Sequence, residues 1–249
     1  MSLSIGTNYQ NLSSGYRINS AADDASGLSI SEKLKSEITI HDVATENAEL
    51  GNNLLNVADG ALGNLQDSLG RIREIAVQAS NTAVYSEDEL SMMQSEVDKI
   101  KQSIADVAKN TQFNGHKLLD GSMADLNLAT NPTGKGQEIK LVNATLEALG
   151  IEDFDVTKDF NIEDIDNAIK QVNEARSGIG AESNRLAYTI MSNQNTSYNL
   201  TASNSRIRDT DMAEEIMKLQ KNNVMEQVQI LMQKKKMEEE QQKRNNFFV

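Results

Sequence analysis

Apolar residues recur along this chain at the spacing of long helices, in three separate runs. The first passes through Ala48, Gly51, Leu55, Ala58, Leu62, Leu65, Leu69, Ile72, Ala76 and Ala79 in alternating steps of three and four, the a and d pattern of a helical seam. At 1.5 Å rise per residue these positions make a rod of roughly 48 Å. Its helix is expected to begin near Ser26, with Asp23 and Asp24 beside the positive end of the helix dipole. The second run is Leu90, Met93, Val97, Ile100, Ile104 and Val107, and Ser86 with Glu89 is spaced as a capping box in front of it. The third repeats every seven residues through Ile165, Val172, Ile179, Leu186, Asn193, Leu200 and Ile207. Asn193 is its polar member; such a residue either fixes register and partner number or lies in a solvated notch.

Three heptad helices with no partner domain in the sequence pack most simply on one another. The expected fold is mainly α, an elongated antiparallel bundle of long heptad helices. Between the second and third runs, residues 111–160 change character. Gly115, Gly121, Pro132, Gly134 and Gly136 punctuate short alternating pieces at 125–129 and 138–142, which read as a small β-hairpin subdomain at one end of the bundle. Beyond residue 208, Met217, Val224, Val228 and Leu231 continue an apolar stripe. The segment 233–246 (QKKKMEEEQQKRNN) is then polar on every side except at Met237, as in a solvated helix. Phe247, Phe248 and Val249 close the sequence as an isolated apolar run. The arm before Asn19 and the tail after Gln233 are expected to be mobile, since neither has an apolar face that it can bury alone.

Composition narrows the function. At 249 residues and 38% hydrophobic the chain can bury a core, yet it has no Trp, five Phe, five Tyr and one Pro, which suits long helices better than a compact enzyme. A net charge of −13 without a basic face argues against nucleic acid. The absence of Cys removes disulfides, thiolate catalysis and most zinc sites. No apolar run reaches the roughly 20 residues of a membrane span, so no membrane insertion is expected. The opening MSLSIGTNYQ lacks the basic and apolar regions of a Sec signal. His41 and His116 fall in no metal-ligand spacing, the GKG at 134–136 is too short for a phosphate loop, and Glu152, Asp153 and Asp155 lack an EF-hand ligand set. No catalytic residue, cofactor or metal site can be nominated.

The segment LSSGYRINSAADDASGLSIS at 12–31 joins a turn-rich start to a very long helix. SNSRIRDTDMAEE at 203–215 places an Arg-Asp segment beside the last apolar run. With GRIREIAVQ at 70–78, TQFNG at 111–115 and GAESNRL at 180–186, the chain resembles bacterial flagellin, and the REIAVQ and TQFNG motifs favour flagellin over the hook-filament junction proteins that share its terminal helices. The resemblance implies a joint and remnant of the terminal D0 domain at 1–25, a D1 bundle at 26–203 with its β region at about 111–160, and a D0-like helix with a charged tail at 204–249. The family's further N-terminal helix and apolar C-terminal end are missing from this reading, so impaired self-assembly is expected.

The same resemblance supplies candidate sites and partners. Leu12, Gly15, Arg17, Asn19, Asp23, Asp24 and Gly27 correspond to the joint used in assembly and in export by the flagellar type III route, which implies a secreted filament protein whose partners are other flagellin subunits. Arg71, Ile75, Gln78 and Glu96 match the surface recognised by Toll-like receptor 5; the plainer alternative is that Arg71 and Glu96 form an interhelical ion pair and Ile75 widens the core stripe. Met212, Ile216, Leu219, Val224, Val228 and Leu231 are candidates for binding a flagellar export chaperone, since a methionine-rich stripe suits adaptable partners. Gap-filling within a helix pair is the alternative.

Overall fold

The computed structural model describes residues 2–247 except 82, 124, 132 and 135, and the side chains of residues 6–243 within that range. The turn expected at Pro132 and the terminal Phe248 and Val249 therefore lie outside the described residues, as does the side chain of Phe247. Along the chain come α1 (Ser2–Ser14), α2 (Ala21–Ala79), α3 (Glu87–Asn110), β1 (Gln112–Phe113), β2 (His116–Lys117), β3 (Asp125–Leu128), β4 (Gln137–Lys140), α4 (Leu146–Leu149), α5 (Ile162–Arg208) and α6 (Met212–Phe247). The chain divides into two compact units. One is Ile40–Asn195; the other joins the residues up to Thr39 with those from Thr196 onward.

In the Ile40–Asn195 unit the first heptad run is realised in full. Every position from Ala48 to Ala79 named above is buried, and Leu55, Leu62, Leu65 and Leu69 are wholly so. Leu54, Ala61 and Ile75 widen the stripe beyond a and d, because α2 is covered from more than one side and needs a broader apolar face than a two-helix seam. Val97 and Ile104 of α3 and Ile165, Val172, Ile179 and Leu186 of α5 share this core. Polar pairs set the register around it. Arg71 of α2 meets Glu96 of α3 at 2.8 Å, Arg73 meets Asp166 of α5 at 2.6 Å, and Arg176 of α5 meets Asp59 at 2.8 Å. Partner numbers on α5 fall as those on α2 rise, so the two helices are antiparallel. Exposed ion pairs of this kind contribute little energy; the leucine seam holds the unit and the pairs align it.

Local chemistry explains the ends. Ser86 caps α3 with a complete capping box, its N–H donating to Glu89 Oε2 at 2.8 Å. Asn114 and Gly115, both at positive φ (50° and 81°), form the two-residue turn between β1 and β2; an Asn-Gly pair tolerates the left-handed conformation that a tight hairpin needs. β3 and β4 pair antiparallel from Asp125↔Lys140 to Leu128↔Gln137. The short helix α4, capped by Thr145 and ended by a left-handed Gly150, lies in the stretch the sequence pattern reads as β, because a single turn leaves no periodicity. Lys101 donates to the carbonyls of Glu152 and of Phe154, the latter at 3.2 Å, and Gln94 accepts the Val156 N–H at 2.8 Å, so α3 holds the following loop.

Asn193 is 6% exposed. Its Nδ2 donates to the Thr130 carbonyl at 3.1 Å, and its Oδ1 lies 3.2 Å from His41 Nδ1. It is a hydrogen-bonded core residue and not a solvated notch, and His41 is half-buried as its partner. Leu200 and Ile207, further along the same register, are only half-buried. The wholly buried Leu69 gives the direct check of this packing. Leu69→Ala is expected to lower unfolding stability by about 2 to 5 kcal/mol in chemical denaturation, whereas a loss within about 0.5 kcal/mol would place the core elsewhere.

Candidate functional site

The joint in the second unit is built by two nested turns and a backbone crossing. α1 ends in a left-handed turn at Gly15 (φ +75°), whose N–H donates to the Asn11 carbonyl at 2.8 Å. The Asp23 carboxylate then accepts from the Asn19 N–H (3.1 Å), the Ser20 N–H (2.8 Å) and the Ser20 hydroxyl (3.0 Å). The Ser20 and Asn19 amides, with the Ser20 hydroxyl, hold the Asp23 carboxyl below its ordinary value. One residue on, Asp24 is extended (φ −162°, ψ 99°) and interrupts the helical turns of α2. Its side chain accepts the Gly27 N–H at 2.9 Å as an N-cap does. The long helix thus starts after Asp24, beside the expected Ser26.

Gly27 is the tightest point of the joint. A Cβ there would fall 2.4 Å from Asp24 Oδ2 and 2.7 Å from Ile18 Cδ1. The capping carboxylate and the buried Ile18 occupy the space a side chain would need, which gives the DDASG sequence a packing reason.

The crossing then ties this segment to the other end of the chain. The Arg17 N–H donates to the Arg208 carbonyl at 2.7 Å and the Thr210 N–H to the Gly15 carbonyl at 3.0 Å, flanking an antiparallel bridge between Tyr16 and Asp209. Arg17 Nη2 donates to the Ile207 carbonyl at 2.7 Å. The Arg208 guanidinium stacks 4.7 Å from the centre of the Tyr16 ring and pairs with Glu32 at 2.8 Å. Ser31 donates to Asn204 at 2.7 Å. Asn19 Nδ2 donates to Asn11 Oδ1 at 3.0 Å and to the Tyr16 carbonyl at 2.9 Å. Gly15, Arg17, Asn19, Asp23, Asp24 and Gly27 therefore all take part, and Leu12 is half-buried on α1. Tyr16, Asn11, Arg208 and Glu215 are equally involved but escape a reading of the sequence, because an isolated polar residue carries no sign of a partner some two hundred positions away.

The arm before Asn19 forms α1. Its backbone approaches that of α6 to within 8 Å, and Asn11 Nδ2 donates to the buried Glu215 at 3.3 Å. Among the described side chains the most buried members of this contact are polar. Asn8 and Asn11 are the buried residues among the described side chains of α1, and on α6 the covered row is Glu215, Leu219, Asn222 and Glu226, spaced four, three and four. Asn8 Nδ2 is buried without a hydrogen-bond partner among the described residues, a cost of about 1 to 3 kcal/mol.

The apolar stripe of α6 points the other way. Met217, Val224, Val228 and Leu231, spaced seven, four and three, are 63%, 57%, 45% and 65% exposed, and Met225 and Met232 lie beside them. At about 100° per residue this face is roughly opposite the Glu215 row. The residues singled out from the sequence thus divide: Leu219 is half-buried on the α1 side, Met212 and Ile216 are exposed between the two faces, and Val224, Val228 and Leu231 lie on the open one.

On α2 and α3, Arg71, Gln78 and Glu96 are exposed and Arg71 also pairs with Glu74 at 2.9 Å. Glu96 and then Glu74 hold the Arg71 guanidinium above its ordinary value. Ile75 is 1% exposed and belongs to the core, so it is not available to a receptor; it lies one step from Ala76, inside the widened stripe.

Residues 2–124 match the bacterial flagellin N-terminal helical region, and residues 162–242 match the bacterial flagellin C-terminal helical region. The flagellin of Halalkalibacterium halodurans is 39% identical over 225 residues, covering 88% of this chain and 82% of its own. The flagellin of Bacillus subtilis is 36% identical, covering 88% and 85%. The flagellar filament 33 kDa core protein of Treponema phagedenis is 36% identical, covering 90% and 86%. Among solved structures, Bacillus cereus flagellin superposes with a TM-score of 0.53 at 24% identity over 59% of this chain and 88% of its own. A protein described as flagellar hook-associated, from Vibrio parahaemolyticus, superposes at 0.64 and 16% identity over 75% and 100%. At these identities the two structures speak for the fold alone.

Gly27→Ala tests the joint. The added methyl is expected to destabilise the unit that contains it by about 1 to 3 kcal/mol, read as faster amide exchange at residues 15–31 with the 55–72 core unaffected. Unchanged exchange at residues 15–31 would show that the close approach at Gly27 is not needed.

Proposed function

The chain belongs to the bacterial flagellin family and is a structural subunit of the extracellular flagellar filament, and we propose that it joins that filament through the open apolar face of α6. The observation that carries this reading is the division of α6 into a polar row turned to α1 and an apolar row turned away from it. α1, of 13 residues, is about 20 Å long against about 54 Å for the 36 residues of α6. It flanks only the first part of α6, and Val228 and Leu231 lie beyond its reach. A second copy of the chain, laying its own apolar row against this one, removes that surface from water at about 25 cal/mol per Å². The same face is the one an export chaperone would cover before assembly, which narrows the chaperone candidates to Val224, Val228 and Leu231. Charged residues of the tail remain solvated beside it.

In this reading the short α1 and the polar seam do not abolish assembly. They leave the terminal unit weakly held in the free subunit, and packing against neighbours completes it. Its role is structural, and it is assigned no catalytic step.

A second reading concerns α2 and α3. Arg71, Gln78 and Glu96 remain exposed on adjacent helices, which supports a recognition surface for Toll-like receptor 5 without Ile75. The Arg71–Glu96 pair is compatible with this, since an exposed pair gives up little when a partner competes for it.

Each reading has its own check. Replacing Val224, Val228 and Leu231 together by Ser is expected to leave most helical circular dichroism intact while abolishing filaments in negative-stain electron microscopy under seeding; filaments matching those of the unaltered chain would contradict the assembly mode. For the receptor surface, Arg71→Ala with undiminished helicity is expected to weaken receptor signalling about tenfold, as truncation of a central arginine does, and unaltered signalling would remove it.

A further inference from the structure

The open face of α6 is rich in methionine. Met217, Met225 and Met232 are 63%, 42% and 66% exposed. Steps of eight and seven residues place them within an arc of about 80° on an α-helix, interleaved with Val224, Val228 and Leu231. The chain has no cysteine, so methionine thioethers are its only sulfur nucleophiles. Met92, Met191, Met212 and Met237 are exposed as well, at 65%, 58%, 45% and 59%, but lie off this face, whereas Met93 and Met123 are partly buried against the core of the Ile40–Asn195 unit. A leucine in place of Met217, Met225 or Met232 would bury as well in an assembly interface. Thioether sulfur adds one property that leucine lacks, which is reactivity toward peroxides.

We propose that Met217, Met225 and Met232 make this face an oxidation-sensitive surface, on which a hydroperoxide converts the free subunit into a form that does not add to a filament. The inference rests on the assembly mode proposed above. In the reaction the thioether sulfur attacks the distal oxygen of hydrogen peroxide and the O–O bond breaks. That oxygen stays on sulfur as the sulfoxide, while the other leaves as water with both protons. Methionine gives up two electrons and the peroxide takes them. A sulfoxide at Met217 puts a strongly polar S=O group within the apolar row, and those at Met225 and Met232 put one along its flank, so the face that gains by leaving water in the reduced subunit has polar groups to desolvate in the oxidised one. Once a second copy covers the row the sulfurs are shielded, so the effect falls on free subunits and spares assembled ones.

The test uses the full chain, treated with graded hydrogen peroxide as monomer and, separately, as filament. Oxidation is mapped by peptide mass spectrometry and assembly followed by light scattering. In the monomer, Met217, Met225 and Met232 are expected to convert about fivefold faster than Met93 and Met123, in line with their exposure, and filament growth is expected to fall about tenfold as they do. M217L/M225L/M232L is expected to assemble like the unaltered chain before treatment and to keep assembling after it. Equal sensitivity of that variant would overturn the proposal, as would full oxidation of the three sulfurs with growth undiminished. Normal filaments from the Val224, Val228 and Leu231 serine variant would instead remove the assembly mode, and the oxidation map, read in the monomer, would stand apart from that failure.

Discussion

Two backbone hydrogen bonds, from Arg17 to Arg208 and from Thr210 to Gly15, close a loop of about three quarters of the chain and set where α1 and α6 lie. Closing so long a loop carries a substantial entropic cost, and the turns around the bonds limit it. Asp23 fixes residues 19–20 through three hydrogen bonds, and Asp24 caps the long helix over a glycine that leaves it room. With the crossing held, Asn11 reaches Glu215. The direction of every other face of α6 follows from that contact.

Two seams of opposite character result. In the Ile40–Asn195 unit, leucine, isoleucine and alanine fill the interior and the ion pairs only align the helices. Between α1 and α6 the buried residues among the described side chains are Asn8, Asn11 and Glu215, and the Asn8 amide has no hydrogen-bond partner among the described residues. Polar contacts of this kind specify position more than they stabilise. The terminal unit is accordingly expected at the low end of local stability. That suits a segment whose apolar row is proposed to meet a partner. The proposed placement of methionine along that row adds a chemical sensitivity that the leucine core lacks.

The legible parts of the fold were those where one residue type repeats at a fixed step. The heptad from Ala48 to Ala79 and the box of Ser86 and Glu89 are written in local patterns and appear as expected. Ile75 was ambiguous because a seam packed from several sides takes positions beyond a and d. α1 and its contact with α6 were illegible for a different reason. Asn8, Asn11, Glu215, Asn222 and Glu226 have the spacing of a packed face but the composition of a solvated one, so the periodicity of hydrophobicity is silent about them. Leu219, read as one stripe with Val224 and Leu231, lies on the covered side, and only the position of α1 distinguishes it.

The central claim is that the apolar row of α6 faces water in the free subunit and another subunit in the filament. Because the chain has no cysteine, Val228→Cys carries a single environment-sensitive fluorophore with no background labelling. The account predicts a solvent-like emission and easy quenching by iodide in the monomer, followed by a blue shift and loss of quenching as filaments form. A label shielded in the monomer, or still open to iodide within the filament, would contradict it.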